Sequence, residues 1–164
     1  NMEGIGAMNF LKLDDISVTQ EGEVLDPDSI ISLPTVDGMP AFPEFEHVPD
    51  DPFLLNINSS GKKWVIITDE NREPCMVLNA HAFLRAIVFG DGQINPLSFC
   101  HRPIIVTDID TLLGKVLSKL KVHGGSALDD VVDNDLILIW SGEKRVITGA
   151  DILGRLLRGI SSRD

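Results

Sequence analysis

The feature that most constrains the fold is an order of buried strands and amphipathic helices that occurs twice along the chain. In the second half, aliphatic runs indicate strands at Ile104–Val106, Leu136–Trp140 and Val146–Ile147. Leucines at three- and four-residue spacing predict a helix that is capped by Asp110 and ends at His123–Gly125, and a second helix over Ala150–Ile160. This half is therefore expected to be strand, helix, strand, strand, helix, which is typical of an α/β protein.

The first half shows the same order less clearly. Two strands at Trp64–Thr68 and Cys75–Leu78 form a predicted hairpin, and a helix over Ala80–Val88 ends before Gly90. Upstream, six prolines between residues 27 and 52 rule out a long helix and remove strand donors. A short strand at residues 30–33 survives there, and the missing first helix is expected within Asp50–Asn58.

A local match between the halves supports an internal duplication. The segment 79–84 (NAHAFL) aligns with the segment 148–153 (TGADIL) at an offset of 69 residues, and both lie where a predicted strand meets a helix. Gly90–Arg102 is then the joint between the halves.

Composition narrows the classes of function. The chain of 164 residues has 25 acidic and 14 basic residues and a net charge of −11, which counts against nucleic-acid and anionic-lipid binding.

Cys75 and Cys100 lack metal-type spacing and are expected to be thiols in a reducing compartment. No signal peptide or bilayer-length apolar run is visible, so the sequence indicates a cytoplasmic protein or an excised piece of a longer one. No nucleophile–base arrangement or zinc-type histidine spacing appears, and we therefore expect neither an enzyme nor a metal site.

The sharpest local signal is the junction Val146–Asp151, where a strand ends at Thr148 and a helix begins at once. A hydroxyl at Thr148 and a carboxylate at Asp151 are suited to the diol of a ribose, and the helix N-terminus favours a phosphate nearby. The alternative is a capping box, Thr-x-x-Asp, which only closes the start of the helix.

The segment 146–160 resembles the end of a cystathionine-β-synthase (CBS) motif. It has two aliphatic strand residues, then Thr-x-x-Asp, and then an apolar helix. The resemblance covers residues 101–160 well and 28–88 more loosely, and it implies a tandem CBS pair (a Bateman module). The fold would be two β-α-β-β-α motifs packed through their small sheets with pseudo-two-fold symmetry. The expected parts are a lead-in (1–27), a divergent first motif (28–90), a linker (91–102), a second motif (103–160) and a tail (161–164).

Such pairs commonly bind adenosine nucleotides between the motifs, so the resemblance implies a nucleotide site in this chain. Its ribose would be held by Thr148 and Asp151, its base flanked by Pro103, Ile104 and Ile105, and its phosphates met by Arg102 or Arg145. Arg145 departs from the family pattern, which has a small residue there, so it could instead crowd the cleft. In the first motif the matching positions are Asn79 and Ala82, and Ala82 cannot accept ribose hydroxyls.

The lead-in around Met8–Asp15, followed by an acidic segment, resembles the cytoplasmic region of CorC-like and cyclin-M-like magnesium/cobalt efflux membrane proteins. This implies a regulatory cytosolic module that binds AMP, ADP or ATP, with or without Mg²⁺, and controls an attached membrane-embedded ion transporter. No cofactor is required, and a homodimer is expected. The alternative is an assembly module that dimerises without a ligand through the exposed sides of its helices.

Overall fold

The computed structural model of the chain describes residues 16–120 and 131–161, and it is an α/β structure. The strands are β1 (Glu23–Val24), β2 (Ile30–Ser32), β3 (Thr35–Val36), β4 (Met39–Pro40), β5 (Trp64–Thr68), β6 (Pro74–Asn79), β7 (Cys100–Val106), β8 (Val132–Ile139) and β9 (Arg145–Thr148). The α-helices are α1 (Pro52–Asn58), α2 (Ala80–Phe89), α3 (Leu113–Leu117) and α4 (Gly149–Ser161). Short 3₁₀ helices lie at Val18–Gln20, Pro27–Ser29 and Pro96–Phe99.

Seven of these strands form one mixed sheet in the order β1-β9-β8-β7-β6-β5-β2, and β3 and β4 form a separate hairpin. β2 pairs with β5 in parallel, whereas the pairs β5–β6 and β8–β9 are antiparallel.

The predicted tandem CBS pair, with two small sheets packed on each other, is wrong, because seven strands form a single sheet. The reason is that β6 pairs edge to edge with β7, with Val77 opposite His101 and Leu78 opposite Cys100, so the strands continue one sheet. A strand edge that hydrogen-bonds to a neighbouring strand leaves no unpaired backbone groups.

The chain divides into two compact units, and among the described residues the first comprises 25–103 and 131–133. Its core lies between α1, α2 and the β5–β6 hairpin, and an aromatic cluster fills it: Phe42, Phe45, Phe53, Phe83 and Phe99. α1 begins at Pro52 because the Asp51 carboxylate accepts the backbone N–H groups of Phe53 and Leu54 at 2.9 and 3.1 Å. An acidic N-cap followed by proline is a strong helix start.

Of the described residues, the second unit comprises 16–24, 104–120 and 134–161. Its core contains apolar side chains of β8, β9, α3 and α4 together with Val18, which is fully buried. Here α3 spans only five residues, and the predicted N-cap at Asp110 is wrong, because the helix follows Leu112 without a side-chain cap. The extended chain at residues 16–18 pairs with this segment: the Leu113 N–H donates to the Ile16 carbonyl at 2.8 Å. That pairing holds Leu112 extended and delays the helix.

The longest helix among the described residues is α4, with thirteen residues. Within the described ranges, no helix has the length and apolar character that crossing a membrane requires. The predicted helix end at His123–Gly125 lies outside the described residues.

Candidate functional site

The two residues predicted to hold a ribose contact each other at the start of α4. The Asp151 carboxylate accepts the Thr148 backbone N–H at 2.8 Å and the Thr148 hydroxyl at 3.0 Å. In return, the Asp151 backbone N–H donates to the Thr148 hydroxyl oxygen at 3.1 Å. This is the reciprocal bonding of a capping box, so both side chains already satisfy backbone groups at the helix N-terminus. A ribose diol at this position would have to share these groups with the cap.

The matching junction of the other unit has a simpler cap. The Asn79 side-chain oxygen accepts the Ala82 backbone N–H at 3.1 Å at the start of α2. The local match at an offset of 69 residues therefore falls on two strand-to-helix junctions that are both capped by a polar side chain. Ala82 has no group that replaces the Asp151 carboxylate.

Arg145, a predicted phosphate contact, binds protein groups instead. One terminal nitrogen donates to the Glu143 carboxylate at 2.8 Å, and the other reaches the carbonyl oxygens of Glu21 and Gly22 at 3.3 and 3.5 Å. Its Nε is buried and has no hydrogen-bond partner among the described residues. Arg145 thus fastens the segment before β1 onto the β9 edge, where Glu23 and Val24 pair with Val146 and Arg145.

Arg102 and the predicted base-flanking residues lie on β7. Arg102 forms an ion pair with Asp133 at 2.9 Å and contacts the Met39 sulfur at 3.5 Å. Pro103 and Ile104 are buried, whereas Ile105 is partly exposed.

Two of the seven predicted site residues, Arg102 and Pro103, belong to the first unit, and the other five belong to the second. Within the second unit, β8 separates β7 from β9 in the sheet order. Strands two places apart are about 10 Å from each other. The base-flanking positions Ile104 and Ile105 are therefore not on a strand adjacent to Thr148.

An ion pair that was not predicted from the sequence lies in the second unit, and its acidic partner is buried. Glu21 is 4% exposed, and its carboxylate binds the Arg155 guanidinium on α4. Gly22 follows with φ +73°, and its backbone approaches the Val146 carbonyl so closely that a Cβ there would lie 2.2 Å from that oxygen. The partners are 134 residues apart in sequence, and no local pattern around Glu21 signals the pair.

Neither thiol has the environment of a nucleophile. Burial raises the pKa of Cys100 to about 12. Burial, followed by the charges of Asp69 and Glu70, raises the pKa of Cys75. Both shifts disfavour the reactive thiolate. Among the described residues no cluster of His, Cys, Asp or Glu has the arrangement of a metal site.

Exposed apolar surface is the most unusual property of the described helices. On α4, Ile152 is buried and Leu156 packs on the core, but Leu153 and Leu157 are 56% and 57% exposed. Because successive helix residues are about 100° apart, these two leucines lie beside the row of Ile152 and Leu156 and form the water-exposed edge of one broad apolar face. We call Leu153 and Leu157 the α4 stripe.

The first unit has a comparable surface at α1 and α2. Val88 and Phe89, at the end of α2, are 71% and 80% exposed. Beside them, an open groove of about 520 Å³ has a mainly apolar lining of nine residues: His47, Val48, Pro49, Leu54, Leu55, Asn58, Leu84, Ile87 and Val88. We call this concave surface the α1/α2 groove. Large contiguous apolar surfaces occur where proteins bind partners or ligands.

No protein-family model matches the chain, and no curated protein matches its sequence. The resemblance to efflux-protein regulatory regions therefore stays a prediction from the residues quoted above.

Proposed function

We propose that the chain is a non-enzymatic assembly module that associates with a second copy of itself through outward apolar helix surfaces. The observation that carries this proposal is the α4 stripe. The apolar side chains of α4 form one broad face, and leaving its Leu153/Leu157 edge in water is unfavourable. Covering both leucines would recover roughly 25 cal/mol for each Å² of apolar surface removed from water.

Charge opposes self-association, so apolar contact has to supply its free energy. The net charge of −11 makes two copies repel each other at long range. Since that repulsion opposes dimerisation, a stable dimer of this chain requires surfaces rich in apolar groups. The α4 stripe and the α1/α2 groove are such surfaces.

Sedimentation velocity over a range of concentrations tests the proposal. We expect the wild type to dimerise and Leu153→Glu/Leu157→Glu to be monomeric with an unchanged circular dichroism spectrum. Val36→Glu is the matched control, because Val36 is also exposed but lies on the β3–β4 hairpin and belongs neither to α4 nor to the groove lining. A wild type that stays monomeric at high concentration would overturn the proposal.

A second candidate function is the binding of an adenosine nucleotide at the start of α4. The observation that favours it is the adjacency of the Thr148 hydroxyl and the Asp151 carboxylate at the N-terminus of a thirteen-residue helix. In this candidate the chain is a cytosolic regulatory module that controls an attached magnesium/cobalt transporter, and Mg²⁺ accompanies the nucleotide phosphates. The closed capping box makes this candidate weaker than self-association.

Calorimetric titration with AMP, ADP and ATP, with and without Mg²⁺, tests the second candidate. Asp151→Asn is the informative variant, because asparagine keeps an oxygen that can cap the helix but loses the charge that a ribose diol prefers. Saturable binding by the wild type that is lost in Asp151→Asn would support the site. Titrations without heat for every nucleotide would exclude these ligands.

A further inference from the structure

We propose that the α1/α2 groove binds a partner protein through a basic amphipathic helix. The apolar side chains of that helix enter the groove, and its lysines or arginines meet carboxylates beside the groove. This inference goes beyond the proposed self-association and assigns the two exposed apolar surfaces to different partners. Two properties of the first unit identify the occupant: the shape of the groove and the sign of the charges that border it.

The groove has a buried apolar floor between exposed apolar walls. Leu54 of α1 and Ile87 of α2 are buried residues of its lining. Leu55 and Val88, on the same two helices, also line the groove and are exposed. A groove between two helices accommodates a third helix that presents apolar anchors at three- and four-residue spacing. Such a helix would cover apolar groups that the single chain leaves in water.

Carboxylates lie on one side of this groove. Glu46 and Asp50 immediately flank His47–Pro49, a segment that lines the groove, and Glu44 lies with them around an adjoining polar pocket. These three residues are exposed, and none of them takes part in the ion pairs that the described residues form. We call Glu44, Glu46 and Asp50 the acidic border. Asp51 is not included, because it is buried and its carboxylate caps α1.

The charge pattern around the groove favours a basic partner. Residues 40–60 contain four acidic residues and no lysine or arginine. The nine lining residues of the groove include no charged group of either sign except His47, and Arg85, the arginine of α2, does not line it. A cationic side chain at the acidic border would therefore meet carboxylates without a competing cation. Complementary charges at the rim of an interface speed association and disfavour partners of the wrong sign.

The same charges disfavour a second copy of the chain in the groove. Groove against groove would bring two acidic borders together, and like charges across an interface are unfavourable. The arginines of α4 do not supply the missing positive charge, because Arg155 binds the buried Glu21 and Arg158 has an interaction of its own. A helix of another protein is thus the occupant that the groove fits, and the α4 stripe is the surface left for self-association.

Binding of model peptides to the full chain, followed by fluorescence anisotropy of a labelled peptide, tests the inference. The probe is a helical peptide of about 15 residues with leucines at helical spacing on one face and lysines on the other. One companion peptide has glutamine in place of every lysine, and a second has serine in place of every leucine. We expect the leucine/lysine peptide to bind saturably and each companion to bind about tenfold more weakly or not at all.

A pair of apolar variants locates the peptide in the groove. We expect Leu55→Gln/Val88→Gln, the groove variant, to weaken peptide binding by about tenfold or more, because both walls lose apolar contact. The matched control is Val36→Gln/Ile109→Gln, at two exposed apolar residues that do not line the groove, and it should bind the peptide as the wild type does. Circular dichroism and thermal unfolding of each variant confirm that it is folded.

A pair of charge variants tests the acidic border. Removing its three charges should weaken peptide binding by about tenfold and reduce the dependence of binding on salt, since exposed ion pairs are individually weak and are screened by ions. The control removes the same number of charges at exposed carboxylates outside residues 40–60 and should keep the affinity within about twofold. The border variant is Glu44→Gln/Glu46→Gln/Asp50→Asn, and the control is Asp37→Asn/Glu73→Gln/Asp110→Asn.

The other outcomes overturn the inference and are distinct from a failure of the proposed function. A groove variant or border variant that binds the peptide as tightly as the wild type shows that only the general negative charge holds the peptide. Equal binding of the glutamine peptide indicates an apolar ligand without charge preference, and no binding of any peptide excludes the basic helix. A groove variant that loses the self-association of the wild type identifies a second copy as the occupant. A monomeric wild type overturns the proposed function but leaves peptide binding intact.

Discussion

Gly22 is the position where a single methyl group should disturb the second unit most. Its φ of +73° is a conformation that side chains with a Cβ rarely adopt. A Cβ there would lie 2.2 Å from the Val146 carbonyl oxygen and 2.8 Å from a side-chain carbon of Ile147. The Val146 carbonyl belongs to β9, so it cannot retreat without disturbing the pairing of β1 with β9.

The expected cost of Gly22→Ala has two parts. The left-handed backbone conformation costs an alanine about 1 kcal/mol relative to glycine. Forcing a methyl group into a filled space costs a further ~1–3 kcal/mol, since backbone atoms must move. We therefore expect Gly22→Ala to lower the free energy of unfolding by roughly 3 kcal/mol.

Gly142→Ala is the matched control in the same unit. Gly142 also has positive φ, +59°, but the closest atom to its added Cβ would be a side-chain carbon of Ile109 at an ordinary 3.9 Å. Only the backbone part of the cost applies, about 1 kcal/mol. The difference between the two variants isolates the effect of the close approach.

Urea denaturation followed by Trp140 fluorescence measures this difference. A Trp64→Phe background leaves Trp140, which belongs to the second unit, as the single tryptophan of the chain. The reasoning is refuted if Gly22→Ala is no less stable than Gly142→Ala, because the close approach to Val146 would then cost nothing.

Three further results are expected in the first unit. The pKa of Asp51 lies below its ordinary 3.8, because the carboxylate accepts the backbone N–H of Glu46 and those of Leu54 and Phe53. The ionised carboxylate therefore stabilises the fold above pH 3.8, and this stabilisation is lost as the pH falls through the pKa of the folded state. The melting-temperature difference between wild type and Asp51→Asn should therefore shrink on acidification, and a constant difference would contradict the assignment. Phe83→Ala should cost about 3–5 kcal/mol in urea denaturation, because this fully buried ring contacts three other phenylalanines. A disulfide reagent at mildly alkaline pH should label Cys75 before Cys100, because burial raises the pKa of Cys100 to about 12. Equal labelling rates of the two thiols in the native protein would argue against the burial of Cys100.

The order of most elements was predictable from local pattern. The apolar run Trp64–Thr68 is β5 with the predicted bounds, and the helix predicted over Ala80–Val88 is α2, which ends before Gly90. The capping reading of Thr148 and Asp151 was also available from sequence, since a capping box uses residues three apart. These features depend on hydrophobic period and on short-range hydrogen bonds, which neighbouring residues specify.

The arrangement of the strands was decided by contacts that no local pattern contains. Strand sequences specify which faces are apolar but not which edges meet, so the pairing of β6 with β7 converted two expected sheets into one. The same holds for β1, a two-residue strand whose place beside β9 depends on Gly22 and on the Arg145 guanidinium.

The sequence by itself therefore determined the α/β class, most of the elements and the capping box of α4, because these depend on residues a few positions apart. Only the tertiary structure decided how the predicted nucleotide residues are used. Arg102 pairs with Asp133, and Arg145 holds the backbone at Glu21 and Gly22, so both arginines already have protein partners. The tertiary structure also decided which leucines of α4 remain in water, because their exposure depends on where the rest of the chain packs. The proposed function depends on that exposure.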